Sequence, residues 1–244
     1  MTPYIGVTGF MSREEVKTAL AAAPHGCHRR LMVGVLASEK TLRYETNKYP
    51  RRYPSCLDIH KIFVDDSRAL NLVHYATRSI GPTDELYRQM YRAMEFGGPD
   101  CHGIQLNVST PPREDDILRF RGSYPDAVVV CQWRWGWGWG EQLPWMSTPE
   151  NFSGVLIDAS GGRGVLFDEQ QVRSDLARVT PCWDVGIGIA GGLCAESLEL
   201  VRPLLAEWPE LSIDAEGKLR TPADDLNIEA MKAYLRAAFE MVGT

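Results

Sequence analysis

Short apolar runs recur along the chain, and most are followed by a segment with helical spacing. The runs are Ile5–Phe10, Leu31–Ala37, Leu70–Ala76, Gly103–Val108, Asp126–Gln132, Gly154–Asp158, Trp183–Ile189 and Leu211–Ala215. Each is short and is bounded by glycine, proline or polar residues, the signature of a strand buried on both faces. Between them, Ser12 and Glu15 form a capping box ahead of the stripe Val16, Ala19 and Leu20. Helix signals resume over Leu57–Val64. Pro82 and Thr83 open a helix that runs to Phe96, where Gly97 and Gly98 stop it. Pro111 and Pro112 start another, with Ile117, Leu118 and Phe120 facing inward. Helical spacing returns over Asp168–Arg178, over Cys194–Trp208 with Leu198, Val201, Leu204 and Leu205 as its stripe, and over Asn227–Met241. After the fifth run, Trp133–Trp139 alternates aromatics with glycine and arginine, and no clear helix follows.

Strand–helix alternation predicts an α/β fold with a parallel sheet and helical crossovers. Eight such units in 244 residues fit one (β/α)8 barrel, a single domain over residues 1–244. A doubly wound open sheet is the alternative, but the first strand lacks the G-x-G-x-x-G turn of dinucleotide binders. In either fold, ligands meet the carboxyl ends of the strands. Asp158 ends the sixth run and precedes a loop with Gly161, Gly162 and Gly164, so it is the best-placed candidate for catalysis. A helix-capping or loop-holding role is the plainer alternative for Asp158.

A net charge of −6 offers no field for polyanions, so no nucleic-acid partner is expected. No apolar run reaches the ~18 residues of a membrane span, and Met1–Tyr4 lacks a secretion signal. The six cysteines form no C-x-x-C pair and sit near apolar runs, which predicts reduced thiols and a cytoplasmic protein. His25, Cys27 and His28 cluster without a second half at ligand spacing, so no metal is expected. Nothing in the sequence implies a cofactor.

Four segments resemble phosphoribosylanthranilate isomerase, a (β/α)8 enzyme of tryptophan synthesis. Ile5–Val16 is similar to its first strand and helix, and Gly103–Asn107 to its fourth strand. Asp158 with Gly161–Gly164 and Phe167–Asp168 is similar to its sixth, and Ile189–Leu193 to its seventh. The resemblance implies an Amadori rearrangement of an aminoaldose phosphate, with a cysteine base ending the first strand and an aspartate acid ending the sixth. Asp158 matches the aspartate, but Thr8 stands at the cysteine. A threonine hydroxyl holds no useful anionic fraction near neutrality. The resemblance also places phosphate at the seventh and eighth loops, where Gly191 and Gly192 precede a helix and Gly162 and Gly164 add a third side. The eighth loop departs from the family's Ser-Ser-Gly: it reads Asp214-Ala-Glu216-Gly217-Lys218, with Lys218 and Arg220 attracting an anion and Glu216 repelling it. Pro50–Tyr53 resembles the family's Ser-Pro-Arg-Tyr, which makes Arg52, or its neighbour Arg51, the match to an arginine that meets the anthranilate carboxylate.

His74 is placed to titrate in the barrel mouth and to replace the missing base, with Glu39 and Glu216 as rivals. A carboxylate pair such as Asp158 and Glu216 would alternatively suit glycosyl hydrolysis. Gln105, Asn107 and Gln132 supply neutral hydrogen bonds at strand ends. Trp133–Trp139 and Arg134 form either a stacking wall for a ring or a lid or subunit contact, the latter compatible with a homodimer. The expected partner is a small phosphorylated molecule, a sugar or nucleotide-like compound. Three functions follow from this reading: an isomerase, a hydrolase or lyase on the same scaffold, and a non-catalytic phosphosugar-binding barrel.

Overall fold

A computed structural model describes residues 1–77, 86–133, 145–158, 165–182 and 184–243. Eight strands close into a parallel barrel in sequence order. They are β1 Tyr4–Thr8, β2 Arg30–Ser38, β3 Ala69–Thr77, β4 Gly103–Val108, β5 Val128–Trp133, β6 Gly154–Asp158, β7 Gly186–Ala190 and β8 Ser212–Ala215. The described helices are α1 Arg13–Leu20, α2 Glu39–Leu42, α3 Ile59–Ile62, α4 Leu86–Gly97, α5 Glu114–Ser123, α6 Glu169–Val179, α7 Arg202–Glu207 and α8 Ile228–Val242.

Alternation along each strand divides the core in two. One parity packs outward against the helices; Ile5, Val33, Val73, Ile104, Val129, Val155, Ile189 and Ile213 belong to it. The other fills the bore. Tyr4, Met32, Leu70, Leu72, Val130 and Leu156 form a separate apolar cluster there. Toward the carboxyl ends of the strands the bore turns polar, with Thr8, His74, Gln105, Gln132, Asp158 and Asp214 all buried. The apolar floor thus supports a polar layer at the carboxyl ends of the strands.

The capping box expected at Ser12 forms. Ser12 accepts from the Glu15 amide, and the Glu15 carboxylate returns to the Ser12 amide. Asp168 caps α6 and Asn227 caps α8. Several expectations need correction. Leu118 does not face inward; it is 48% exposed, while Ile117 and Phe120 are buried. The helix expected over Cys194–Trp208 is a 3-10 segment, Ala195–Leu200, followed by the short α7, because Pro203 in its first turn has no N–H to continue the ladder. The seventh strand starts at Gly186 rather than Trp183. Helix α2, capped by Ser38, had no counterpart in the sequence reading. The proposed start at Pro82 and Thr83 lies outside the described residues, as do Gly162, Gly164, Arg134 and the Trp135–Trp139 part of the aromatic run. Among the described residues no helix is long and apolar enough to cross a membrane, and no group of three His, Cys, Asp or Glu is placed to hold a metal.

Candidate active site

Bore positions of neighbouring strands meet at the carboxyl end in a hydrogen-bonded chain. The Gln132 Nε2 donates to Asp158 Oδ2 at 2.7 Å, which turns its Oε1 toward His74 Nε2 at 3.3 Å. Gln105 Nε2 approaches the same ring nitrogen at 3.0 Å. On the opposite side, the Thr8 hydroxyl donates to the Asp214 carboxylate at 3.2 and 3.3 Å. Gly34 makes this pair possible: a Cβ there would stand 2.4 Å from Thr8 Oγ1. Asp158 ends β6 and is 8% exposed, so its carboxylate is held at the rim rather than free in solvent.

The layer concentrates acidic groups in a low-dielectric place. Burial, and then the charge of Glu216, push the Asp214 carboxyl up to about 8; the Thr8 hydrogen bond opposes them and Asp158 adds to them. Asp214 therefore keeps its proton at neutral pH. Burial holds His74 below the ordinary histidine range, against the upward pull of Glu216, Gln132 and Asp158. His74 is therefore neutral, and its Nε2 serves one glutamine at a time, donating to Gln132 Oε1 in one tautomer and accepting from Gln105 Nε2 in the other.

Strand β7 lies between β6 and β8, so its exit turn sits between Asp158 and Asp214. Gly191 and Gly192 form that turn with φ of +129° and +62°. A Cβ on Gly192 would stand 2.5 Å from the Leu166 amide nitrogen, so the chain after β6 lies directly on the turn. The turn leads into a six-residue 3-10 segment, not the full helix expected from sequence. Any anion held there would rest on turn amides, with little help from a helix dipole.

The other predicted residues are spread around the rim. Asn107 is half-buried in the bore row of β4, beside Ala76. Lys218 is exposed on the 3-10 turn Gly217–Leu219. Arg52 reaches across from the loop after β2 and pairs with Asp224 and Glu216. Glu39 opens α2 and pairs with Arg43. Asp214 was not singled out as a chemical group from the sequence, although its signal was present: Ser212, Asp214 and Glu216 alternate, and that parity faces the bore. Arg220 was noted only for its charge. It is largely withdrawn into the fold, donating to the carbonyls of Thr8 and Gly9 at 3.2 and 2.7 Å.

A closed parallel barrel with a polar layer at the strand carboxyl ends defines the class, a (β/α)8 barrel. Within that class the fold is that of phosphoribosylanthranilate isomerase. The chain matches the isomerase of Thermus thermophilus with a TM-score of 0.65 at 15% identity, over 96% of this chain and 98% of that one. TrpF from Jonesia denitrificans gives 0.65 at 16% identity, over 97% and 96%. A 3-keto-L-gulonate-6-phosphate decarboxylase from Vibrio cholerae gives 0.60 at 9% identity, over 99% and 98%. These likenesses establish the fold. No family profile matches the chain, and no curated protein is detectably similar in sequence.

Proposed function

We propose that this barrel is an isomerase of a phosphorylated sugar, working by proton transfer between two carboxyl groups. The observation that carries the reading is the placement of Asp158 and Asp214 on either side of the Gly191–Gly192 turn. A phosphate on the turn amides would set the sugar carbons between the two acids. Asp214, which holds its proton at neutral pH, gives it to the sugar oxygen as the C–O bond opens. Asp158 takes the proton from C2, and the electron pair left behind forms the enol or enolamine; Asp158 then returns its proton to C1 while the C2 hydroxyl proton passes back to Asp214, which leaves the C2 ketone and both acids as they began. The proton held by Asp214 makes it the acid and leaves the base to Asp158, whereas the resemblance implies that the sixth-strand aspartate is the acid. Thr8 is a positioning residue that orients Asp214, while His74 and Gln132 orient Asp158.

The structural neighbours, among them an isomerase of a phosphoribosyl compound and a decarboxylase of a sugar phosphate, support a phosphosugar ligand. A panel of aldose and aminoaldose phosphates, scored for ketose formation, tests the proposal. Turnover should fall by about three orders of magnitude in both Asp158→Asn and Asp214→Asn. Turnover that survives either substitution would remove the two-carboxyl mechanism.

A further inference from the structure

Arg52 is the arginine that reaches the barrel mouth from the loop after β2, and its own chain has already surrounded it with carboxylates. Its Nε donates to both Asp224 oxygens at 3.0 and 2.9 Å, and its Nη2 to the same carboxylate. Its Nη1 donates to Glu216 at 3.0 Å. The Tyr49 ring lies 5.3 Å from the guanidinium carbon. All three nitrogens thus face acidic side chains, and one face of the fork is covered. The three partners are roughly three-quarters buried, with side-chain exposures of 24%, 26% and 28% for Arg52, Asp224 and Glu216.

The loop that supplies Asp224 is tied down through its backbone. Asn227 donates to the Leu219 carbonyl at 2.8 Å, Thr221 to that of Asp225 at 2.8 Å, and Asp224 to that of Thr221 at 2.9 Å. Asp224 has a φ of +73°, a conformation an L residue adopts only when its surroundings impose it. Beside it, the exposed Arg51 makes a single contact, from Nη1 to Asp225. Arg220, the other arginine of this rim, donates to the carbonyls of Thr8, Gly9 and Asp224. Set against these arginines are Glu216 and Asp224, with Asp158 close enough to act on Asp214. A ligand carboxylate arriving here would have to displace a bidentate partner and would meet Glu216 as a like charge.

We propose that Asp224 and Glu216 are specificity-determining residues: by filling Arg52 with carboxylates of the same chain, they exclude a ligand carboxylate from the β1–β2–β8 side of the mouth. The ligand selected is then a phosphorylated molecule whose end away from the phosphate is neutral or cationic, such as a sugar hydroxyl or an alkylamine. This rests on the reading above that the ligand lies in the mouth, but its test does not require turnover.

The test is calorimetric titration of the full chain with benzoate and with benzylamine. Wild type should give no benzoate binding above background, while Asp224→Asn combined with Glu216→Gln should gain about tenfold or more in benzoate affinity. Adding Arg52→Met should abolish the gain, and Asp224→Glu alone should produce none. Benzylamine should bind wild type more tightly than the double variant. Asp224→Asn alone and Glu216→Gln alone should each show an intermediate gain, so either one serves if the double variant does not fold. Wild type binding benzoate as tightly as the folded variants, or folded variants that gain nothing, would overturn the proposal. Failure of the phosphosugar reading would show separately, as absence of turnover across the panel with the benzoate result intact.

Discussion

Replacing Asp214 by asparagine should make the protein more stable while abolishing its activity, and the gain should depend on pH. The side chain is fully buried, and its carboxyl is pushed from 3.8 up to about 8. The raised value means that the folded state keeps a proton the unfolded chain releases above pH 4. Between those two values the unfolded state binds fewer protons, so wild-type stability falls as pH rises. The slope is about 1.4 kcal/mol per pH unit from this one group, and it levels off above the folded pKa. Asparagine has the shape of the protonated acid, can still accept from Thr8, and carries no such slope. The gap between variant and wild type should therefore widen by roughly 4 kcal/mol from pH 5 to pH 8, an upper figure because relaxation and water entry reduce it. Urea unfolding of both proteins at several pH values measures the gap directly, and other titrating groups cancel in the difference. A gap that stays flat with pH would refute the claim that Asp214 holds a proton, and with it the assignment of Asp214 as the acid. A gap that widens while turnover disappears is what a site that stores acidity for chemistry should give.

Other consequences are equally open to measurement. Gly192→Ala combines a φ of +62° with a Cβ 2.5 Å from the Leu166 backbone, so it should cost on the order of 2–3 kcal/mol and lower Tm by several degrees. Ser12→Ala removes one arm of a capping box and should cost about 1 kcal/mol in urea unfolding without touching turnover. Burial pushes the thiols of Cys101 and Cys131 up to about 11 and about 12, so iodoacetamide at pH 8 should leave both unmodified in the native protein. Mass spectrometry should instead find label on the partly exposed Cys27 and Cys194.

The barrel was legible in the sequence because its strands are buried on both faces and so announce themselves as unbroken apolar runs. Gly103–Val108 and Gly154–Asp158 match their strands end to end for that reason. Helix ends carried by side-chain caps, at Ser12, Asp168 and Asn227, were legible too. What failed was whatever depended on tertiary competition. Leu118 fits a helical stripe by spacing, yet α5 buries only one side of that stripe. The segment after Gly192 reads as helix by period, but Pro203 and a Cys194–Ser197 cap break it into two short pieces. In the site, Asp158 stood out because an acid ends an apolar run just before a glycine loop. Asp214 did not, because one carboxylate inside a four-residue strand resembles a loop residue until the parity of the bore is known. The engagement of Arg52 could not be read at all, since its partners lie 164 and 172 residues away.

The threonine at position 8 takes on a different meaning once Asp214 is seen beside it. A cysteine base there would have to ionise beside a carboxyl that burial, Glu216 and Asp158 already keep protonated, and the same burial would disfavour its thiolate. A hydroxyl that stays neutral avoids that conflict and supplies a fixed hydrogen bond. Gly34 leaves room for no larger arrangement, since even a methyl group on it would collide with Thr8 Oγ1. Thr8, Gly34 and Asp214 therefore form one unit shared by β1, β2 and β8, in which the Thr8 hydroxyl donates to Asp214. On the proposed mechanism the acid–base pair would lie on β6 and β8, on either side of the turn where a phosphate would sit, where the resemblance implies strands one and six.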